Sequence, residues 1–244
     1  LGYSEVSLEG EKVCALARRT ANEDGEIHRF RNVLPPGSSV TYTLWADTFQ
    51  GNWQAGIRKM FQERMLYDVE PGTFDNAMYE REDLKWIRHD YASHLIYAWD
   101  EKFYDSQTQT FHLKDFLKRG DKWYGGDDFI GIWPTWPSLG MDQRNQWDLY
   151  RDLPGGLDKL NELADMSRDQ GTQFFISYNP WDQSTRSESH FTGMASLIDQ
   201  IGVDGVVLDT RGSSSKELQN AADSVSDGVV MYSEGMAVPK DMQN

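Results

Sequence analysis

Residues 1 to about 48 alternate apolar and polar positions with the period of two that sends successive side chains to opposite faces of a strand. Val6-Ser7-Leu8, Lys12-Val13-Cys14-Ala15-Leu16 and Val40-Thr41-Tyr42-Thr43-Leu44-Trp45 carry the pattern, the last after a Pro35-Pro36-Gly37 turn. So few strands cannot close a sandwich, and 1–48 is expected to be the C-terminal strands of a β-sandwich domain. The period then changes. Trp53, Ile57, Met60, Phe61 and Met65 fall on one face of a predicted helix over 53–65, which Pro71-Gly72 interrupts, so 49–90 reads as a linker with a helix.

From Tyr91 onward, short apolar runs alternate with helical periodicity. The first run, His94 to Trp99, ends in Asp100; the second, Asp128 to Trp133, ends in Pro134-Thr135-Trp136-Pro137. The third, Gln173 to Tyr178, ends in Asn179-Pro180-Trp181-Asp182. The fourth ends at Asp209 and the fifth at Glu234. Between them lie a helix from Leu157 to Gln170 stopped by Gly171, one burying Phe191, Met194, Leu197, Ile198 and Ile201, and one opened by a Ser214/Glu217 capping box. Nearly all-apolar strands in βα units predict a parallel sheet. Residues 91–244 are therefore expected to be an α/β fold, about five βα units of an incomplete (β/α)8 TIM-type barrel. A doubly wound open sheet is the alternative, although no Gly-rich phosphate loop follows the first strand.

Composition narrows the chemistry. A net charge of −15 repels nucleic acid and anionic lipid, so a neutral or cationic ligand is expected. No apolar run reaches the roughly 20 residues that span a bilayer. Cys14 is the only cysteine, and His28, His89, His94, His112 and His190 show no metal-ligand spacing, so neither metal nor cofactor is expected. Aromatics make up 13% of the chain, and Trp residues cluster at strand ends, where indole faces can stack on sugar rings.

Asp209 and Glu234 terminate consecutive strands joined by a helical crossover, so their carboxyls are expected side by side at the C-terminal edge of the sheet. Glycosidases need such a pair, about 5 to 5.5 Å apart for retention and wider for inversion. Asp209, beside Arg211, is expected to stay ionised as a nucleophile; Glu234, among apolar and neutral neighbours, is expected to act as acid/base. Trp99, Asp100, Trp133, Trp136, Asn179, Trp181, Asp182 and Arg211 are the expected sugar contacts.

The run Gly202-Val203-Asp204-Gly205-Val206-Val207-Leu208-Asp209 resembles the strand-four motif of the α-amylase-like glycoside hydrolases, which ends in the nucleophile. In those families the acid/base Glu ends strand five, as Glu234 would, and Asn179 is similar to their strand-three Asn. The family's Arg two residues before the nucleophile is Val207 here. The resemblance therefore points to a remoter relative, such as barrel hydrolases that carry a β-sandwich before the barrel and act on α-galactosaminyl or other α-glycosides. It implies retaining hydrolysis of an α-linked oligosaccharide or polysaccharide, and a strand-seven Asp beyond Asn244. Because the chain also starts at Leu1 rather than Met, the remaining part of the same polypeptide is an expected partner. Secretion, or a bacterial periplasmic location, is expected by analogy. Two other readings stand: a metal-dependent barrel enzyme with Asp182, Asp209 and Glu234 as ligands, and a non-catalytic carbohydrate-binding protein.

Overall fold

The structure, a computed structural model, describes residues 2–27, 32–63, 72–73, 75–134, 139–182 and 184–235, and the chain divides into two compact units, 1–74 and 75–244. No helix among the described residues is long and apolar enough to cross a membrane.

In the first unit, strands β1 (Gly2–Leu8) and β2 (Glu11–Glu23) pair in antiparallel fashion, β3 (Glu26–Ile27) pairs with β4 (Asn32–Val33), and β5 (Ser39–Phe49) joins the free side of β2. The alternation read from the sequence sorts the faces. Cys14, Leu16 and Phe49 are buried with Met60 of helix α1 (Trp53–Glu63), while Val6, Leu8 and Leu44 are exposed. The described strands of this unit thus form one main sheet with a helix on one face. The predicted extension of α1 to Met65 lies outside the described residues.

The second unit opens with a 3-10 helix, Glu82–His89, and strand β6 (Ser93–Tyr97). A hairpin of β7 (Tyr104–Asp105) and β8 (Thr110–Phe111) leads into α2 (Leu113–Tyr124). Then come β9 (Phe129–Trp133), α3 (Gln146–Arg151), α4 (Gly156–Asp169), β10 (Gln173–Tyr178), α5 (His190–Ile201), β11 (Gly205–Leu208), α6 (Lys216–Asp223) and β12 (Val230–Ser233). The order β12-β11-β10-β9-β6 is parallel throughout and follows the sequence without reversal. This is a mixed α/β protein built on a five-stranded parallel sheet, without the topological switch point that a doubly wound sheet would have among these strands.

Alternate side chains of each strand serve two cores. Ile96, Ile130, Ile132, Phe174, Ile176, Val206 and Leu208 bury against Leu117 of α2, Leu160 of α4, Leu197 of α5 and Leu218 of α6. On the other face Phe129, Phe175 and Val207 meet Leu95, and Trp86 and Ile87 of the 3-10 helix. There Phe129 stacks on Phe175 at 4.2 Å, Trp86 meets Phe175 edge-on, and the Trp86 indole N–H donates to the Gly228 carbonyl. A Cβ at Gly205 would stand 2.4 Å from the Phe175 ring, so this strand must be bare there for the rings to close over it.

Local differences from the sequence reading have physical causes. The helix before β12 is capped by Ser215, whose hydroxyl accepts the Leu218 N–H, not by Ser214, which is buried and turns its hydroxyl toward the Ser215 carbonyl. The first strand ends at Tyr97, which leaves Trp99 in the following turn. The stretch before Tyr91, read as polar linker, forms the 3-10 helix because Arg81 grips Asp223 through both guanidinium nitrogens and Trp86 has a core to fill.

Candidate active site

Leu208 of β11 pairs with Ser233 of β12, so Asp209 and Glu234 are the next residues on adjacent parallel strands. Each lies two positions beyond a residue on the face away from the helices, Val207 and Tyr232. Backbone bonds tie the strand ends together: the Asp209 N–H donates to Tyr178 O at 2.9 Å, the Glu234 N–H to Leu208 O at 3.3 Å, and the Gly235 N–H to Arg211 O at 2.8 Å. A Cβ at Gly235 would lie 2.8 Å from Gly212 Cα, so the two loops can approach only over a bare residue.

Thr210 joins the pair from between. Its φ of +56° is the left-handed region, where a β-branched residue is strained. In that conformation its N–H donates to Glu234 Oε2 at 2.7 Å. Its hydroxyl oxygen accepts the Trp181 indole N–H.

The strand pairing sets the two carboxyls at neighbouring strand ends, and Glu234 is the charged neighbour that acts on Asp209. Burial first, and then the bond to and repulsion from Glu234, push the Asp209 carboxyl up to about 6, against the opposing pull of the Thr210 N–H. This differs from the expectation that Arg211 would hold Asp209 ionised. The Arg211 Nε donates to the Ser213 carbonyl, and its guanidinium lies against the Tyr178 hydroxyl. Neighbourhood in sequence did not become neighbourhood of charge. The pair can hold one proton between two carboxyls, the condition under which one acts as acid and the other as base or nucleophile.

Of the expected sugar contacts, Trp181 and Arg211 join this edge, and Trp181 leaves 67% of its surface open. Asn179 is buried and employed locally: its side-chain oxygen accepts the Trp181 N–H at 2.7 Å, and its backbone N–H donates to Gln146 Oε1 at 2.7 Å. Asp182 uses one carboxylate oxygen on the Gln146 N–H and the other on the Ser184 N–H. Trp99, Asp100 and Trp133 follow or end β6 and β9, with β10 standing between them and β11. At about 4.8 Å per strand, β6 is roughly 14 Å from β11 along the sheet. Trp136 lies outside the described residues.

Three contributors escape the sequence reading. Thr210 is identified only by its backbone angle. Gln146 mimics a neighbouring strand, bonding both the N–H and the carbonyl of Asn179. Tyr150 places its hydroxyl between β9 and β10, donating to Ile132 O at 2.7 Å and accepting the Ser177 N–H at 2.7 Å. Both side chains come from α3, whose start was legible: Asn145 and Asp148 form a reciprocal capping box.

No family model matches the chain, and no curated protein does. Among solved structures it is similar to a beta-arabinopyranosidase, at 14% identity and a TM-score of 0.42, over 96% of this chain and 39% of that one. It is also similar to a variant of a Glycoside Hydrolase Family 97 enzyme from a Pseudoalteromonas species, at 16% identity and a TM-score of 0.32, over 81% of this chain and 32% of that one. The chain spans about two-fifths of the length of the first and a third of the second. At these scores neither likeness bears on activity.

Proposed function

We propose that this chain carries the catalytic pair of a glycoside hydrolase, with Asp209 and Glu234 at the C-terminal ends of the fourth and fifth strands of a (β/α)8 barrel. The observation that carries the reading is the carboxyl pair itself: two acids on adjacent parallel strand ends, one of them raised to about 6 by burial and by the other. Such closeness favours double displacement with retention over inversion, which needs room for a water between the carboxyls. Asp209 carries the proton and serves as acid/base. Glu234, oriented by the Thr210 N–H, is the nucleophile. That assignment reverses the roles implied by the strand-four resemblance. The α-linkage of the substrate rests on that resemblance alone, and the rest of the polypeptide is proposed to complete the barrel.

The metal-dependent alternative loses its third ligand in this arrangement, because Asp182 has both carboxylate oxygens on backbone N–H groups. The test is release of nitrophenol from a panel of aryl α- and β-glycosides by the natural polypeptide that contains this chain, with product anomers followed by NMR. Asp209→Asn and Glu234→Gln should each lower kcat/KM at least a thousandfold, a loss of about 4 kcal/mol or more in transition-state stabilisation. Azide should rescue Glu234→Ala with a glycosyl azide of inverted configuration. Unchanged turnover in either conservative variant sinks the pair, and azide rescue of Asp209→Ala with the inverted product would exchange the two roles.

A further inference from the structure

A cavity of about 490 Å³ opens beside the β7–β8 hairpin, bounded by Trp99, by the loop around Lys102 and Gln107, and by His112, Asp115 and Arg119 of the α2 region. It is of small-ligand size. It gathers at the end of β6, and its lining shares no residue with the carboxyl pair or with Thr210 and Trp181 beside it.

Its walls are held by short-range bonds along the hairpin and the turn before it. Asp100 receives the N–H of Lys102 on its carboxylate and those of Phe103 and Tyr104 on its carbonyl. Asp105 closes the hairpin by accepting the N–H groups of Gln107 and Thr108. Trp99 meets the buried Tyr104 edge-on at 5.6 Å, which steadies the indole while 46% of its surface stays open. The longer charged side chains around the opening are less tied down, although Arg119 lies over the Phe116 and Trp123 rings. Among the described residues, Glu101, Lys102, Asp115 and Arg119 form no ion pair, although both signs line one space. Helix α2 begins there with no side-chain cap on its first turn.

A wall with both signs of charge has little field to hold an anion, and the net charge of −15 opposes one further. An exposed indole face surrounded by separated donors and acceptors matches a neutral ring with C–H faces and many hydroxyls. We propose that this cavity is a second saccharide-binding site, one that takes one or two neutral sugar units and does no chemistry on them. It stands on its own lining and does not depend on the roles given to Asp209 and Glu234.

The test uses maltose, melibiose, cellobiose and lactose as probes, glucose 1-phosphate as the charged control, and the Asp209→Asn/Glu234→Gln double variant so that nothing is consumed. Saturation-transfer NMR and tryptophan fluorescence report binding. At least one neutral disaccharide should bind with a Kd below about 10 mM. Trp99→Ala should weaken that binding at least tenfold and Arg119→Met, on the facing wall, at least threefold, with circular dichroism confirming that both variants are folded. Absence of binding by all four disaccharides, equal binding by folded Trp99→Ala, or tighter binding of the sugar phosphate overturns the proposal. Hydrolysis that survives such a result leaves the catalytic reading intact, so the two fail separately.

Discussion

Asp209 is driven toward its neutral form by burial and by Glu234, two effects of the same sign, and its only backbone donor of note, the Thr210 N–H, is shared with the other carboxylate. The consequence for stability follows from proton counting. An acid raised from 3.8 to about 6 binds more protons in the folded state across that window, so its stabilising effect is complete below 3.8 and lost as pH rises through about 6. Asp209→Asn keeps the shape and removes the charge. It should therefore stabilise the fold at pH 7.5 and be neutral at pH 3.5. The full shift would amount to about 3 kcal/mol, but the group is partly exposed and screened, so a gain of about 1 kcal/mol is expected in urea unfolding at the higher pH. A destabilised variant at pH 7.5 would mean that the carboxylate is favoured in the fold and that the proton sits elsewhere. Thr210 is strained in the same spirit: its left-handed backbone costs stability and places an N–H on Glu234, an arrangement typical of sites that hold reactive groups in position.

Elements became legible in the sequence wherever one periodicity dominated. The runs ending at Trp133, Tyr178, Asp209 and Glu234 are strands within a residue or two, because buried parallel strands are apolar throughout. α4 and α5 follow from unbroken apolar stripes stopped by Gly171 and by Gly202 in the left-handed conformation. α2 carries a legible stripe in Leu113, Phe116 and Leu117, and α3 a legible cap, but both lie in stretches whose polarity reads as loop. What could not be read was that the Asn179 backbone and one Asp182 oxygen meet Gln146 of α3, more than thirty positions earlier. α3 therefore acts as a spacer between strand ends. Tyr150→Phe deletes the hydroxyl bridging β9 and β10, takes the acceptor from the buried Ser177 N–H and leaves Ile132 O with the longer bond from the Ser177 hydroxyl at 3.4 Å. A loss of about 2 to 3 kcal/mol is expected in chemical denaturation, with a lowered midpoint and little change in slope. A cost below about 0.5 kcal/mol would show that the two strands close on each other unaided.

At the scale of the molecule, the parallel sheet is asymmetric. Among the described residues, one face is covered by the five helices α2 to α6 and the other by Trp86 and Ile87 at its lower half, while Tyr97 and Tyr232 nearer the C-terminal ends are 48% and 39% exposed. β6 and β12 each pair with a single neighbour among the described residues, while β9, β10 and β11 pair on both sides. The monotonic order that argues for a barrel thus coexists with two open edges, and these have opposite consequences for local stability. A closed sheet would protect all five strands alike, because no strand could open without breaking two ladders. An open one lets the edges fray by sub-global openings that the centre does not share. Native-state hydrogen exchange on this chain should therefore find amides of Ile132, Ile176 and Val207, which face the central strands, exchanging only with global unfolding. Those of Ile96 and Tyr232, which face the neighbouring strands β9 and β11, should open at a free energy lower by about 2 kcal/mol or more. In a longer polypeptide whose further strands closed the barrel, the same amides should rise to the level of the central strands. Equal protection of edge and centre in the present chain would instead mean that its sheet is already closed, and the incomplete barrel would have to be abandoned.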